Sequence, residues 1–178
     1  MRAFIAIDIP GDIRKKICDF GAMVPGNATI VSEQNLHITV QFLGDIGQKV
    51  QSDVVETIKT IDERPFSVSI AGVSGFGKGD DIRVLYAGVR NGEKIKEIYT
   101  SIMDSFSSKG LRFDRESDYV PHVTICRPKG ASSALSDFIR SNKDKVFGGF
   151  EVSKVSLKKS TLARNGPVYE TLYERELL

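Results

Sequence analysis

Two four-residue runs in this chain could do chemistry together. His37 to Val40 reads His-Ile-Thr-Val, His122 to Ile125 reads His-Val-Thr-Ile, and they hold the only two histidines among 178 residues. Histidine has the ordinary pKa nearest neutrality, so a pair can hold complementary states, one as general base and one as general acid. That suits in-line displacement at phosphorus, where one group activates the nucleophile and the other protonates the departing oxygen. The phosphoryl oxygens need donors of their own. Thr39 and Thr124, each two residues past a histidine, offer hydroxyls, and Arg127 offers a charged fork. Strict alternation puts Arg127 on the face away from His122, so its use depends on the strand ending or bending there. Phe42 and Tyr169 could stack on a base, against the simpler reading of both as core aromatics. Cys126 lies four residues past His122, as Gln41 does past His37. No other residue supports a nucleophilic thiol there.

These residues need strands to position them. Each run is rich in β-branched residues and alternates with period two, and on a strand residues i and i+2 share a face. His37 with Thr39, and His122 with Thr124, therefore point one way, while Ile38, Val40, Val123 and Ile125 point to a core. Ala3 to Ile9 reads as a buried strand ending at Pro10-Gly11, and Ile13, Ile17, Phe20 and Val24 mark a helix stopped by Pro25-Gly26-Asn27. Ile30-Val31 suggests a short strand. The first histidine strand runs to Gly44, and Val50, Val54, Ile58 and Ile61 give a second helix. Phe66 to Val73 and Ile82 to Val89 pair as a hairpin around a glycine-rich turn at Gly75 to Gly79. A third helix follows on Ile95, Ile98, Ile102 and Phe106. After the second histidine strand come a fourth helix on Leu135, Phe138 and Ile139, a strand from Phe150 to Leu157, a turn at Asn165-Gly166-Pro167, and a last strand from Tyr169 to Leu177.

The order repeats. His37 to Phe66 spans 29 residues, His122 to Phe150 spans 28, and both phenylalanines open an F-x-V strand. This reads as an internal duplication with approximate units 1–81 and 82–178. The expected fold is α/β (α+β): one bilobal domain over residues 1–178, whose two pseudo-symmetric lobes are mainly antiparallel sheets with outer helices around a central cleft. One histidine strand should reach that cleft from each side.

Composition narrows the classes. A hydrophobic content of 40% with 27% charged residues is ordinary for a soluble globular chain. No apolar run approaches the roughly 20 residues that span a bilayer, and MRAFIAIDIP is too short and too soon acidic for a signal peptide. Two cysteines without CxxC spacing fit a reduced, cytoplasmic protein. Two histidines make no familiar metal motif, so neither metal nor cofactor is expected. From His122 to Asn165 there are nine Lys or Arg against three acids, in a chain of net charge +2. That basic stretch suits a phosphate-bearing partner.

Several segments together resemble a known family. MRAFIAIDIP, NLHITVQFLG, IRVLYAGV, VPHVTICRP and the closing Ser160 to Leu172 with its GPVYETL are similar, nearly end to end, to the two-histidine phosphoesterases. Within these the likeness is to the RNA 2′,3′-cyclic phosphodiesterases, also called 2′-5′ RNA ligases, of bacteria and archaea. The resemblance implies metal-independent hydrolysis of 2′,3′-cyclic phosphate RNA ends to 2′-phosphates, with possible reverse 2′-5′ ligation. It makes His37 the proton donor and His122 the proton acceptor, with Thr39, Thr124 and Arg127 on the phosphate. The symmetry of the two runs cannot by itself assign acid and base. Relatives often carry a basic residue where this chain has Gln41 and an aromatic where it has Ile30. A 2′-5′ oligonucleotide or small cyclic nucleotide phosphodiesterase, or an RNA-end-binding module without turnover, is the competing reading. The expected partner is an RNA end or oligonucleotide, met by a monomer away from any membrane.

Overall fold

The two histidine runs open two strands that lie side by side. In the computed structural model, which describes residues 1–178, β3 spans His37–Asp45 and β6 spans His122–Pro128. They pair antiparallel with Ile38 opposite Val123. Around them stand β1 (Arg2–Asp8), β2 (Ala28–Ile30), β4 (Phe66–Lys78), β5 (Asp81–Arg90), β7 (Val146–Val152), β8 (Lys154–Ala163) and β9 (Gly166–Glu176). All belong to one sheet in the order β7-β4-β5-β6-β3-β1-β8-β9, with β2 beside β6, and every pairing is antiparallel. The two histidine strands thus meet edge to edge at a β3–β6 seam within one sheet.

Helices cover one face of this sheet. They are α1 (Gly11–Gly21), α2 (Gln48–Lys59), α3 (Glu93–Ser108) and α4 (Ser133–Ser141). Each turns the apolar stripe expected from its spacing inward: Ile13, Ile17 and Phe20 on α1, Val54 and Ile58 on α2, Ile95, Ile98, Ile102 and Phe106 on α3, and Leu135 on α4. Ser132 caps α4, its hydroxyl accepting from the Leu135 N–H at 3.2 Å. Helices α1 and α4 pack on β4, β6 and β7, and α2 and α3 on β3 and β9. Between helices and sheet lies one continuous core that includes Ile38, Val40, Val123 and Ile125. The opposite face carries His37, Thr39, His122 and Thr124, all half-buried.

The same neighbour relations recur on either side of the seam. β1 lies beside β3 as β5 lies beside β6, β8 beside β1 as β4 beside β5, and β9 beside β8 as β7 beside β4. The two sides do not divide at residue 81 as expected: β4 stands beside β5 on the β6 side, while β8 and β9 stand beside β1 on the β3 side. The F-x-V markers do not fall on equivalent strands. Phe150 lies in β7 directly opposite Val68 of β4, whereas the counterpart of β4 is β8.

Three expected elements differ. The glycine-rich segment is strand as far as Lys78, and the turn is only Gly79-Asp80. Gly75 and Gly77 serve close approach: a Cβ on Gly75 would lie 2.7 Å from Ile82, and one on Gly77 would strike the Asp81 carbonyl. The strand expected from Phe150 to Leu157 is broken at Ser153, where the chain leaves β4 for β1. Alternation reports which way side chains face and is silent about which strand supplies the hydrogen bonds. The last turn is Arg164-Asn165, and Pro167 falls inside β9, an edge strand that tolerates it.

Ile38 is fully buried at the seam. Ile38→Ala is expected to cost about 2–5 kcal/mol in urea unfolding. Leu162→Ala, on an 87% exposed tip, should stay within about 0.5 kcal/mol.

Candidate active site

Register sets the geometry of the site. Counting one residue out from Ile38 opposite Val123 puts His37 across from Thr124 and Thr39 across from His122, all on the face away from the core. Direct cross-strand neighbours stand about 4.5–5.5 Å apart and diagonal ones about 7–8 Å. The histidines occupy one diagonal and the threonines the other. A phosphate between the imidazoles would therefore also lie between the hydroxyls.

The two rings are held in the same way. His37 Nδ1 lies 2.7 Å from the Asn35 carbonyl, and His122 Nδ1 lies 2.7 Å from the Val120 carbonyl, the residue two back in each case. A carbonyl only accepts, so each Nδ1 carries the proton and each Nε2 is the atom left to exchange one. Asn35 is itself fixed, its amide donating to the Pro167 carbonyl at 2.8 Å. In the free protein His37 Nε2 meets Thr39 Oγ1 at 2.8 Å. Tyr119 holds the Thr39 backbone, donating to its carbonyl at 2.7 Å.

Arg127 and Phe42 reach the site face because both strands bulge at matching places. Between Thr39 opposite Ala6 and Gln41 opposite Ile5, β3 carries one extra residue, Val40. Between Thr124 opposite Tyr86 and Cys126 opposite Leu85, β6 carries Ile125. A bulge shifts the alternation by one. Val40 with Gln41, and Ile125 with Cys126, are consequently buried in succession, and Phe42 and Arg127, each five past its histidine, emerge exposed. Strict alternation had set Arg127 on the wrong face, and the bulge corrects it. Arg127 lies near enough to Tyr169 for its charge to oppose the burial that raises the phenol above its ordinary pKa.

Aromatic rings flank both histidines. Phe4 and Tyr169 stand 4.9 and 5.5 Å from His37 between ring centroids, and Phe76 and Tyr86 both stand 5.1 Å from His122. Phe42 is 64% exposed and 6.4 Å from Phe4. Of these, Phe4, Phe76 and Tyr86 were missed from sequence. Their signal was phase: Phe4 and Tyr86 lie on the strands flanking β3 and β6, at registers known only once pairing is known. Also missed was Asp8, directly opposite His37 and paired with Lys158 at 2.8 Å. The residue opposite His122 is Gly88, which carries no charge.

Burial acts on His37 first, lowering its pKa below the ordinary histidine value. The Asn35 hydrogen bond and Asp8 oppose this, while Lys158 and His122 add to it. Burial also raises the Cys126 thiol to about 11, and Cys126 is fully enclosed in the core. A thiol there is neither ionised near neutrality nor accessible, which removes the nucleophilic reading.

Comparison with known proteins follows the same lines. The family described as AKAP7 2′5′ RNA ligase-like domain matches residues 12–177. The chain belongs to the 2′5′ RNA ligase-like, two-histidine phosphoesterase family. Among family members, the RNA 2′,3′-cyclic phosphodiesterase of Methanocaldococcus jannaschii is 36% identical over 98% of this chain and 99% of its own. That of Thermotoga maritima is 33% identical over 98% and 94%. Among solved structures of this fold, a Thermus thermophilus protein superposes with a TM-score of 0.83 at 22% identity, covering 99% and 98% of the two chains. Escherichia coli LigT complexed with 3′-AMP gives 0.82 at 22% identity, covering 99% and 97%.

A depressed His37 pKa favours its neutral form in the folded protein, so the stability it contributes is complete above the unfolded value of about 6.5. It is lost as pH falls through the lower folded value. NMR titration of the free protein should find His37 titrating below an ordinary histidine, and bound inorganic phosphate should move it upward.

Proposed function

We propose that the chain hydrolyses RNA 2′,3′-cyclic phosphate ends to 2′-phosphates by paired histidine acid–base catalysis without a metal. One observation carries this: two imidazoles lie on one sheet face, each with Nδ1 tied to the carbonyl two residues back, so both Nε2 atoms remain for proton exchange across one diagonal, with only the Thr39 hydroxyl on that of His37. Family membership supports it, since relatives at 30–36% identity over nearly the whole chain bear the name RNA 2′,3′-cyclic phosphodiesterase.

The residues divide the work as follows. His122 Nε2 takes a proton from water as the water oxygen bonds to phosphorus. The bond from phosphorus to the 3′ oxygen breaks, and that oxygen takes the proton from His37 Nε2, leaving a 2′-phosphate and a 3′-hydroxyl. The low pKa of His37 in the free protein does not oppose the acid role. An anionic phosphate placed beside a buried imidazole favours its charged form and so supplies the proton donor on binding. Thr39 occupies His37 Nε2 until substrate arrives, then turns its hydroxyl to a phosphoryl oxygen. Thr124, across from His37, and Arg127 hold the others. Phe42 and Tyr169 flank the end nucleoside. The same displacement with a 5′-hydroxyl in place of water would give a 2′-5′ linkage.

The partner is an RNA end or oligonucleotide bearing the cyclic phosphate. No helix is long and apolar enough to cross a membrane. Both cysteines are free. We take the protein as a cytoplasmic monomer.

His37→Ala and His122→Ala should each lower turnover of a cyclic-phosphate-ended oligonucleotide by about 10²- to 10⁴-fold while circular dichroism shows the fold retained. Chelator should leave the wild-type rate unchanged. Near-wild-type activity in either variant, or loss with chelator, contradicts the mechanism. Turnover confined to small cyclic nucleotides would favour the smaller-substrate reading, and salt-sensitive binding without product the binding-module reading.

A further inference from the structure

Hydrolysis as described leaves one cavity of the site unused. It measures about 460 Å³, its wall includes Thr39, Phe42, Arg112, Phe113, Tyr119 and His122, and His37 is not part of it. The pockets bordered by Tyr169 lie on the other side: one of about 190 Å³ reaches His37 and Lys158, and one of about 360 Å³ reaches Phe4. Phe42 borders both the large cavity and the second of these, so its exposed ring is a ridge between two spaces.

The far wall of the large cavity belongs to the segment between α3 and β6, which is tied in place. Gln41 Nε2 donates to the carbonyls of Phe42 and Asp114, both at 2.9 Å. The Glu116 N–H donates to Tyr99 Oη at 2.7 Å, and Arg115 pairs with Asp104 at 2.8 Å. Phe113 packs 4.9 Å from Phe106. Arg112 sits on this anchored wall, exposed and without any hydrogen bond or ion pair among those the structure contains.

In-line displacement fixes what can enter. The departing 3′ oxygen belongs to the end ribose and lies toward His37, so the nucleophile arrives from the His122 side, where this cavity opens. Water needs none of its volume. A second nucleoside attacking through its 5′-hydroxyl would place its sugar and base there. Phe42 and Phe113 would be available for stacking and Arg112 for the phosphate that follows.

We propose that the cavity walled by Arg112 and Phe113 is the subsite for the nucleoside that carries the 5′ oxygen of a 2′,5′ linkage, with Arg112 as its specificity-determining residue. This rests on the two-histidine reading above and its direction. The 5′-hydroxyl oxygen bonds to phosphorus and passes its proton to His122 Nε2. The bond to the 3′ oxygen breaks, and that oxygen takes the proton of His37 Nε2, so the products are a 2′,5′-phosphodiester and a 3′-hydroxyl with no further reactant. In reverse, the 3′-hydroxyl attacks and gives its proton to His37. The 5′ oxygen then leaves with a proton from His122, and the cyclic phosphate is restored.

The test compares wild type and Arg112→Ala on two substrates. A nucleoside 2′,3′-cyclic monophosphate fills only the His37 side, whereas cleavage at the first linkage of 2′,5′-linked triadenylate releases a nucleoside that is followed by a phosphate. The variant should hydrolyse the monophosphate within about twofold of wild type, while its KM for triadenylate rises about tenfold or more with kcat nearly constant. Arg112→Lys should recover most of that loss. Equal losses on both substrates, no change on triadenylate, or a wild type that hydrolyses the monophosphate but never cleaves triadenylate would overturn the subsite. A wild type that turns over neither would overturn the phosphodiesterase reading itself.

Discussion

The antiparallel contact of Ile38 with Val123 is the constraint on which the rest depends. Because the side-chain period of a strand is two, that single register puts two imidazoles and two hydroxyls on one face and four β-branched residues into the core on the other. A one-residue slip of either strand would turn its histidine into the apolar interior. Burial of Ile38 and Val123 against the helical layer opposes that slip. The same contact makes the site and the core two sides of one object.

Symmetry supplies the pair, and its breaking can supply the roles. Both rings share the backbone tether and an aromatic surround, yet a charged pair, Asp8 with Lys158, stands next to His37, while Gly88 faces His122. Gly88 has its own reason to be small, since a Cβ would lie 2.9 Å from the Ala71 carbonyl. The surroundings of the two rings therefore differ through the strands flanking β3 and β6. Gln41 and Cys126, the most visible asymmetry in sequence, contribute differently: one ties down the segment ahead of β6, and the other fills the core.

Much of this was legible from the chain. The strands, helices and both His-x-Thr frames follow from periodicity, which depends on which faces are buried. The role of Arg127 was left to hang on a bend in its strand, because a bulge changes phase without any signature in residue type: Val40-Gln41 and Ile125-Cys126 read as ordinary strand. Phe4, Tyr86 and Asp8 were invisible as site residues because they arrive by pairing between distant strands. The glycines at 75 and 77 misled for a related reason, as glycine marks both turns and close backbone approach, and only the neighbouring strand tells them apart.

The central claim is that the two Nε2 atoms address one phosphorus. A crystal structure with a bound 2′-nucleotide tests it most directly. The account predicts phosphate oxygens within about 2.6–3.2 Å of both His37 Nε2 and His122 Nε2, with the Thr39 hydroxyl turned from His37 to the phosphate. A phosphate held by one histidine alone, or seated away from the β3–β6 seam, would contradict it.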